Sequence, residues 1–134
     1  MDITIQVASI DTRQEQRDAH LRSADFFDAA RFPTITFRSR MVEGNYHDSE
    51  FRLVGDLTIR DVTREVVLDV SAEGSLTDPW GAERAGFSAH GKIDRTDFGL
   101  TWNQALETGG VLVSNEVKIS VDVELIRQAK RAAA

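Results

Sequence analysis

Near the end of the chain Val117, Ile119, Val121, Val123 and Leu125 occupy every second position, with Lys118, Ser120, Asp122 and Glu124 between them. A side-chain period of two places the apolar set on one face of an extended strand and the polar set on the other, a separation that no α-helix achieves. The alternation recurs in Ile3, Ile5 and Val7, and in Ile35 and Phe37 after Pro33. It returns in Leu53, Gly55, Leu57 and Ile59, in Val66, Leu68, Val70 and Ala72, and in Ala85, Phe87, Ala89 and Ile93. Together these predict six half-buried strands of an antiparallel sheet.

Turn chemistry separates the strands at Glu43-Gly44-Asn45, Arg60-Asp61-Val62-Thr63, Thr77-Asp78-Pro79-Trp80-Gly81 and from Asp94 to Gly99. Gly55 and Gly91 sit inside otherwise patterned strands and mark places where a sheet bulges or bends sharply. That favours a barrel over a flat sandwich. One helical insertion breaks the pattern. Thr12 and Glu15 have capping-box spacing, and Ser23 is placed to cap a second short turn over residues 24–29. Leu21, Phe26, Phe27 and Phe32 supply the buried side, and Pro33 returns the chain to extended structure. Both helical pieces are short and polar, so packing must hold them.

The chain has 134 residues, the size of one domain, 1–134, with a core that needs no staple. It contains no cysteine, which excludes disulfides, thiolate metal sites and a cysteine nucleophile. Twenty-two acidic residues against sixteen basic ones leave a net charge of −6. Such a domain suits no nucleic acid, because phosphate neutralisation supplies most non-specific affinity. The basic group Arg127, Lys130 and Arg131, followed by alanines, reads as a solvated terminus. No apolar run approaches the ~20 residues of a membrane helix, and the opening Met1-Asp2-Ile3-Thr4-Ile5 alternates like a strand rather than a signal peptide. As written, the chain is expected to be cytoplasmic.

Catalytic patterns are weak. His20, His47 and His90 lack the spacing that puts two imidazoles on one metal, so no metal or other cofactor is implied. Asp94 and Asp97 flank Arg95, but aspartates in a tight turn usually accept backbone amides, and Arg95 is expected to pair with one of them. There is no nucleophile elbow, and Gly109-Gly110 precedes a strand rather than a helix, so it is no phosphate cradle. No catalytic residue is assigned. What remains is apolar: Phe37, Leu57, Leu68, Phe87, Ile93, Val121 and Val123 point inward, with Trp102 nearby. Periodicity alone fits an ordinary filled core, whereas a closed barrel of about eight strands holds one small ligand.

Longer segments carry a resemblance. Ser9-Ile10-Asp11-Thr12, Arg17-Asp18-Ala19-His20-Leu21, Ser23-Ala24-Asp25-Phe26-Phe27-Asp28 and Phe32-Pro33-Thr34-Ile35-Thr36-Phe37 resemble the YceI-like family. So do Gly55-Asp56-Leu57-Thr58-Ile59-Arg60-Asp61-Val62-Thr63, the stretch from His90 to Leu100, and Trp102-Asn103. Matching pieces run in order from about Ile3 to about Leu125. The resemblance implies a mainly β fold, an antiparallel lipocalin-like barrel with a short helical segment near the N-terminus. It also implies a bacterial, non-enzymatic, often dimeric protein that binds a polyisoprenoid or fatty-acyl lipid. Under it, Arg17, Asp18 and His20 fix the cap, and Arg95, Asp97 and Gly99 fix a barrel turn. The lipid-facing role falls to Ile35, Phe37, Leu57, Leu68, Phe87, Ile93, Trp102, Val121 and Val123. Family members begin with a further β-hairpin that is absent before Met1, which leaves an incomplete barrel with two unpaired edges. A mis-assigned start, a fragment or a partner chain would each explain that. A missing start would also restore a periplasmic or secreted location. The alternative reading is an interaction module with a filled core that pairs through its open edge.

Overall fold

The computed structural model describes residues 1–44, 49–77, 79, 81, 83–104, 110 and 112–126. The expectations for His47, Trp80, Gly109 and the basic end (Arg127, Lys130, Arg131) lie outside them. Among the described residues six strands form one sheet in chain order: β1 (Asp2–Gln6), β2 (Thr34–Glu43), β3 (Glu50–Ile59), β4 (Val62–Thr77), β5 (Glu83–Asp94) and β6 (Glu116–Ile126). Every neighbouring pair is antiparallel. The sheet curls into a half-barrel, with β1 and β6 as its edges among the described residues.

The alternation places the core as the periodicity requires. Phe37, Leu57, Val66, Leu68, Val70 and Ala89 are buried on the concave face, joined by Phe98 and Leu100 from the loop after β5. Curvature has two visible devices. The β2–β3 register shifts between Ser39 and Met41, opposite Gly55, and the β4–β5 register shifts between Ala72 and Ser75; such irregularities bend a strand and raise its twist. Gly55 lies beneath the Phe37 ring, where an added Cβ would meet that ring at 2.6 Å. Gly91 sits in unbroken register opposite Ile119, with Leu68 packed over it. One glycine thus faces a bulge, and the other makes room for a core side chain.

The long excursion between β1 and β2 caps one end of the half-barrel. It departs from the sequence expectation in two places. α1 spans Glu15–Arg22, and its N-cap is Gln14, whose side chain accepts the Arg17 amide, so Thr12 and Glu15 do not form the capping box. Thr12 serves Asp18 instead, donating its amide (2.9 Å) and hydroxyl (2.5 Å) to the same carboxylate oxygen. Ser23 ends α1, its hydroxyl on the His20 carbonyl at 2.6 Å, and starts no second helix. Residues 24–27 form turns instead. These are closed by Asp28 at φ +51°, a conformation that Asp tolerates better than most residues.

The Thr12 hydrogen bonds, aided by Arg22 and Arg17, hold the Asp18 carboxyl below the usual carboxylate range, against the opposing effect of burial. A depressed folded-state pKa contributes stability above the unfolded value of 3.8, and that contribution is lost as pH falls through the lower folded value. Urea midpoints of the wild type should therefore fall below about pH 4 more steeply than those of Asp18→Asn. Parallel curves for the two proteins would refute this.

Candidate functional site

The turn after β5 organises the capped end. Asp94 caps a 3-10 turn over Arg95–Phe98 by accepting the Thr96 amide and hydroxyl, at 2.9 and 2.6 Å. Those bonds lower its pKa. Gly99, at φ +79°, ends the turn in the left-handed conformation that glycine adopts without strain.

Arg95 does not pair with either aspartate. No ion pair among the described residues includes it. Its side chain is turned inward and the residue is 3% exposed. Nε donates to the Ser114 carbonyl (2.9 Å), and Nη1 donates to the carbonyls of Leu100 (2.5 Å) and Trp102 (2.8 Å). Nη2 reaches the Val113 carbonyl and Asn115 Oδ1, both at 3.4 Å. A guanidinium has five N–H donors in a fixed fork, and here each finds an acceptor from the loops on either side of the turn. A buried charge is tolerable when hydrogen-bonded in this way. Asp94 is already engaged by Thr96, and the surrounding carbonyls with Asn115 Oδ1 offer Arg95 an acceptor for each donor.

Above this floor lies a cavity of about 180 Å³ on the concave face. Ile35, Phe37, Leu57, Leu68, Ile93 and Val121 all line it. Its walls are completed by Ile3 and Ile5 from one edge strand, Val117 and Ile119 from the other, Ile59 and Val66 from the middle, and Phe27 and Leu100 from the cap and the loop. Among the described residues, every lining residue apart from Arg95 is apolar. The edge residues are also open to water, with Ile5 43% and Val117 38% exposed. The cavity therefore widens into the seam between β1 and β6.

Three of the residues singled out from sequence lie elsewhere. Phe87 and Val123 border a polar depression farther along β5 and β6 with Glu73, Arg84 and Asp122. Phe87 also meets Phe51 edge-on at 6.3 Å between ring centroids. Trp102 stands outside the cavity, 4.5 Å from the His20 ring and 5.4 Å from Phe26. His20 Nε2 lies 2.9 Å from Asp25 Oδ2. His20 thus belongs to an aromatic cluster beneath the cap. Of the residues missed, Ile3, Ile5, Val117 and Ile119 were available from the strand periodicity. Phe27 and Leu100 lie in irregular segments where no period identifies the inward side.

No group of three or more His, Cys, Asp or Glu among the described residues is placed to hold a metal. Among the described residues no helix is long and apolar enough to cross a membrane.

Comparison with known proteins places these features. A family model described as a YceI-like domain matches residues 1–125. The protein named Protein YceI from Escherichia coli O157:H7 is 40% identical over 128 residues, covering 96% of this chain and 63% of that protein. Its counterpart from Salmonella newport is 39% identical over the same length. The chain thus spans 63% of the length of these curated relatives. Among solved structures, a Campylobacter jejuni YceI protein superposes with a TM-score of 0.83 at 33% identity, covering 96% of this chain and 72% of that one. BcnA of Burkholderia cenocepacia gives 0.76 at 23% identity, covering 92% and 72%, a likeness of fold alone.

Proposed function

This chain belongs to the YceI-like family, and from that premise we propose that it binds an isoprenoid or another long-chain amphiphilic lipid without catalysing a reaction. The observation that carries the reading is the lining of the concave cavity, apolar throughout except for an arginine whose donors are all engaged. Such a surface offers a hydrocarbon chain transfer out of water and offers a reacting group nothing. Each methylene so transferred contributes about 0.8 kcal/mol. Ten of them would give roughly 8 kcal/mol before the cost of ordering the chain.

At about 180 Å³ the cavity is smaller than the ~300–1,000 Å³ of ordinary ligand pockets. On this reading it holds one stretch of the chain, and the remainder lies along the seam between β1 and β6. Native mass spectrometry and organic extraction of the purified protein should recover a bound lipid. Ligand-free protein from which polyprenyl alcohols displace no fluorescent hydrophobic probe would overturn the reading.

The outer sides of β1 and β6, which have no strand partner among the described residues, favour a second reading, in which another chain, a second copy included, adds a strand there. Lipid-free protein that oligomerises with rising concentration would support it over the first. A strictly monomeric protein would count against it.

A further inference from the structure

Taking the lipid reading as its basis, the wall of the cavity at the capped end decides what can fit. Three residues form that wall: Arg95, Leu100 and Phe27. Arg95 and Leu100 are each 3% exposed, and neither can give way. Arg95 is held through all its donors, and the Leu100 amide is bonded to the Arg95 carbonyl at 3.1 Å. Phe27 differs. Its side chain lines the cavity and packs against the core, yet the residue is only partly buried and no side-chain bond holds it.

The position of Phe27 is set by its backbone and its neighbours. Its amide is bonded to the Leu21 carbonyl (3.0 Å), and the Asp28 amide to the Ser23 carbonyl (2.9 Å). Phe26, the preceding residue, is buried against His20 and Trp102 and anchors the segment on the opposite side. Shortening Phe27 therefore enlarges the cavity at this end and leaves the backbone bonds around it in place. We infer that Phe27 sets the length of hydrocarbon chain the site accepts, as the stop against which the inner end of the chain rests.

The test uses straight-chain alcohols from octanol to octadecanol, competing against a fluorescent fatty probe on the whole protein. In the wild type, affinity should climb about fourfold with each added methylene and then level off at a break length. Phe27→Ala should move the break to chains longer by roughly three to five methylenes, the room a phenyl ring vacates. Phe27→Trp should move it to shorter chains. Urea midpoints measured alongside report folding, and Phe27→Leu with Phe27→Trp carries the test if Phe27→Ala proves unstable. A break that stays in place in the folded variants overturns the inference and leaves the lipid reading standing. If no alcohol of any length displaces the probe from the wild type, the lipid reading itself fails.

Discussion

Arg95→Met should destabilise the fold by about 3–5 kcal/mol. The thioether side chain resembles the arginine stem in shape but donates nothing. The carbonyls of Leu100, Trp102, Val113 and Ser114, together with Asn115 Oδ1, would lose their shared donor, and at Leu100 the orphaned carbonyl is buried. Set against the ~5–15 kcal/mol total stability of a typical domain, that is a large fraction. It corresponds to a fall in Tm of roughly ten degrees or more. Arg95→Lys should recover little, because three donors on a single ammonium cannot span acceptors arranged around a planar fork. Urea and thermal denaturation followed by circular dichroism measure both variants. A loss below about 1 kcal/mol for Arg95→Met would show that the loops hold each other without the guanidinium.

The second large effect is expected at Gly55. A Cβ there would lie 2.5 Å from the Arg38 carbonyl and 2.6 Å from the Phe37 ring. The first contact is with backbone held in the β2–β3 ladder, so relief requires strand movement rather than a rotamer change. Gly55→Ala should cost about 2–3 kcal/mol, the upper part of the range for overpacked cores. It should also weaken probe binding, because Phe37 would be driven into the cavity it lines. Gly91 provides the internal comparison. Its added Cβ would meet the tip of Leu68 at 2.7 Å, a flexible group that can turn aside. Gly91→Ala should therefore cost less, about 1 kcal/mol. Equal costs at the two positions in urea titrations would remove the distinction between backbone and side-chain obstruction.

The strands were readable from sequence because a half-buried sheet writes itself as a two-residue period. Val117 to Val123 and Leu53 to Ile59 keep that period on the faces the structure shows. Both strand glycines were also readable as interruptions, although the pattern could not say that Phe37 and Leu68 would lie over them. The cap was less legible, since Thr12 and Glu15 satisfy a local capping rule that loses to a non-local partner, Asp18. Ser23 fits either end of a helix by composition, and its bond to the His20 carbonyl decides for the end. Arg95 was misread for the same reason. Its sequence neighbours are charged, whereas its acceptors are the Leu100 and Trp102 carbonyls just beyond the turn and Val113, Ser114 and Asn115, which the fold brings to it. At the site itself, six of the nine residues chosen from alternation share the cavity, while Phe87, Val123 and Trp102 lie beyond it.

The order of the sheet carries a topological consequence. Because the strands follow one another in sequence, each connection joins immediate neighbours on the same side of the gap. Among the described residues β1 and β6 do not pair with each other, and their facing edges flank the cavity. Hydrogen-bonded pairing of the first and last strands would force a long molecule to be threaded tail-first through an end. On the proposed lipid reading, an opening between β1 and β6 would let such a chain be laid in sideways, and a bulky head group would not have to pass through the interior.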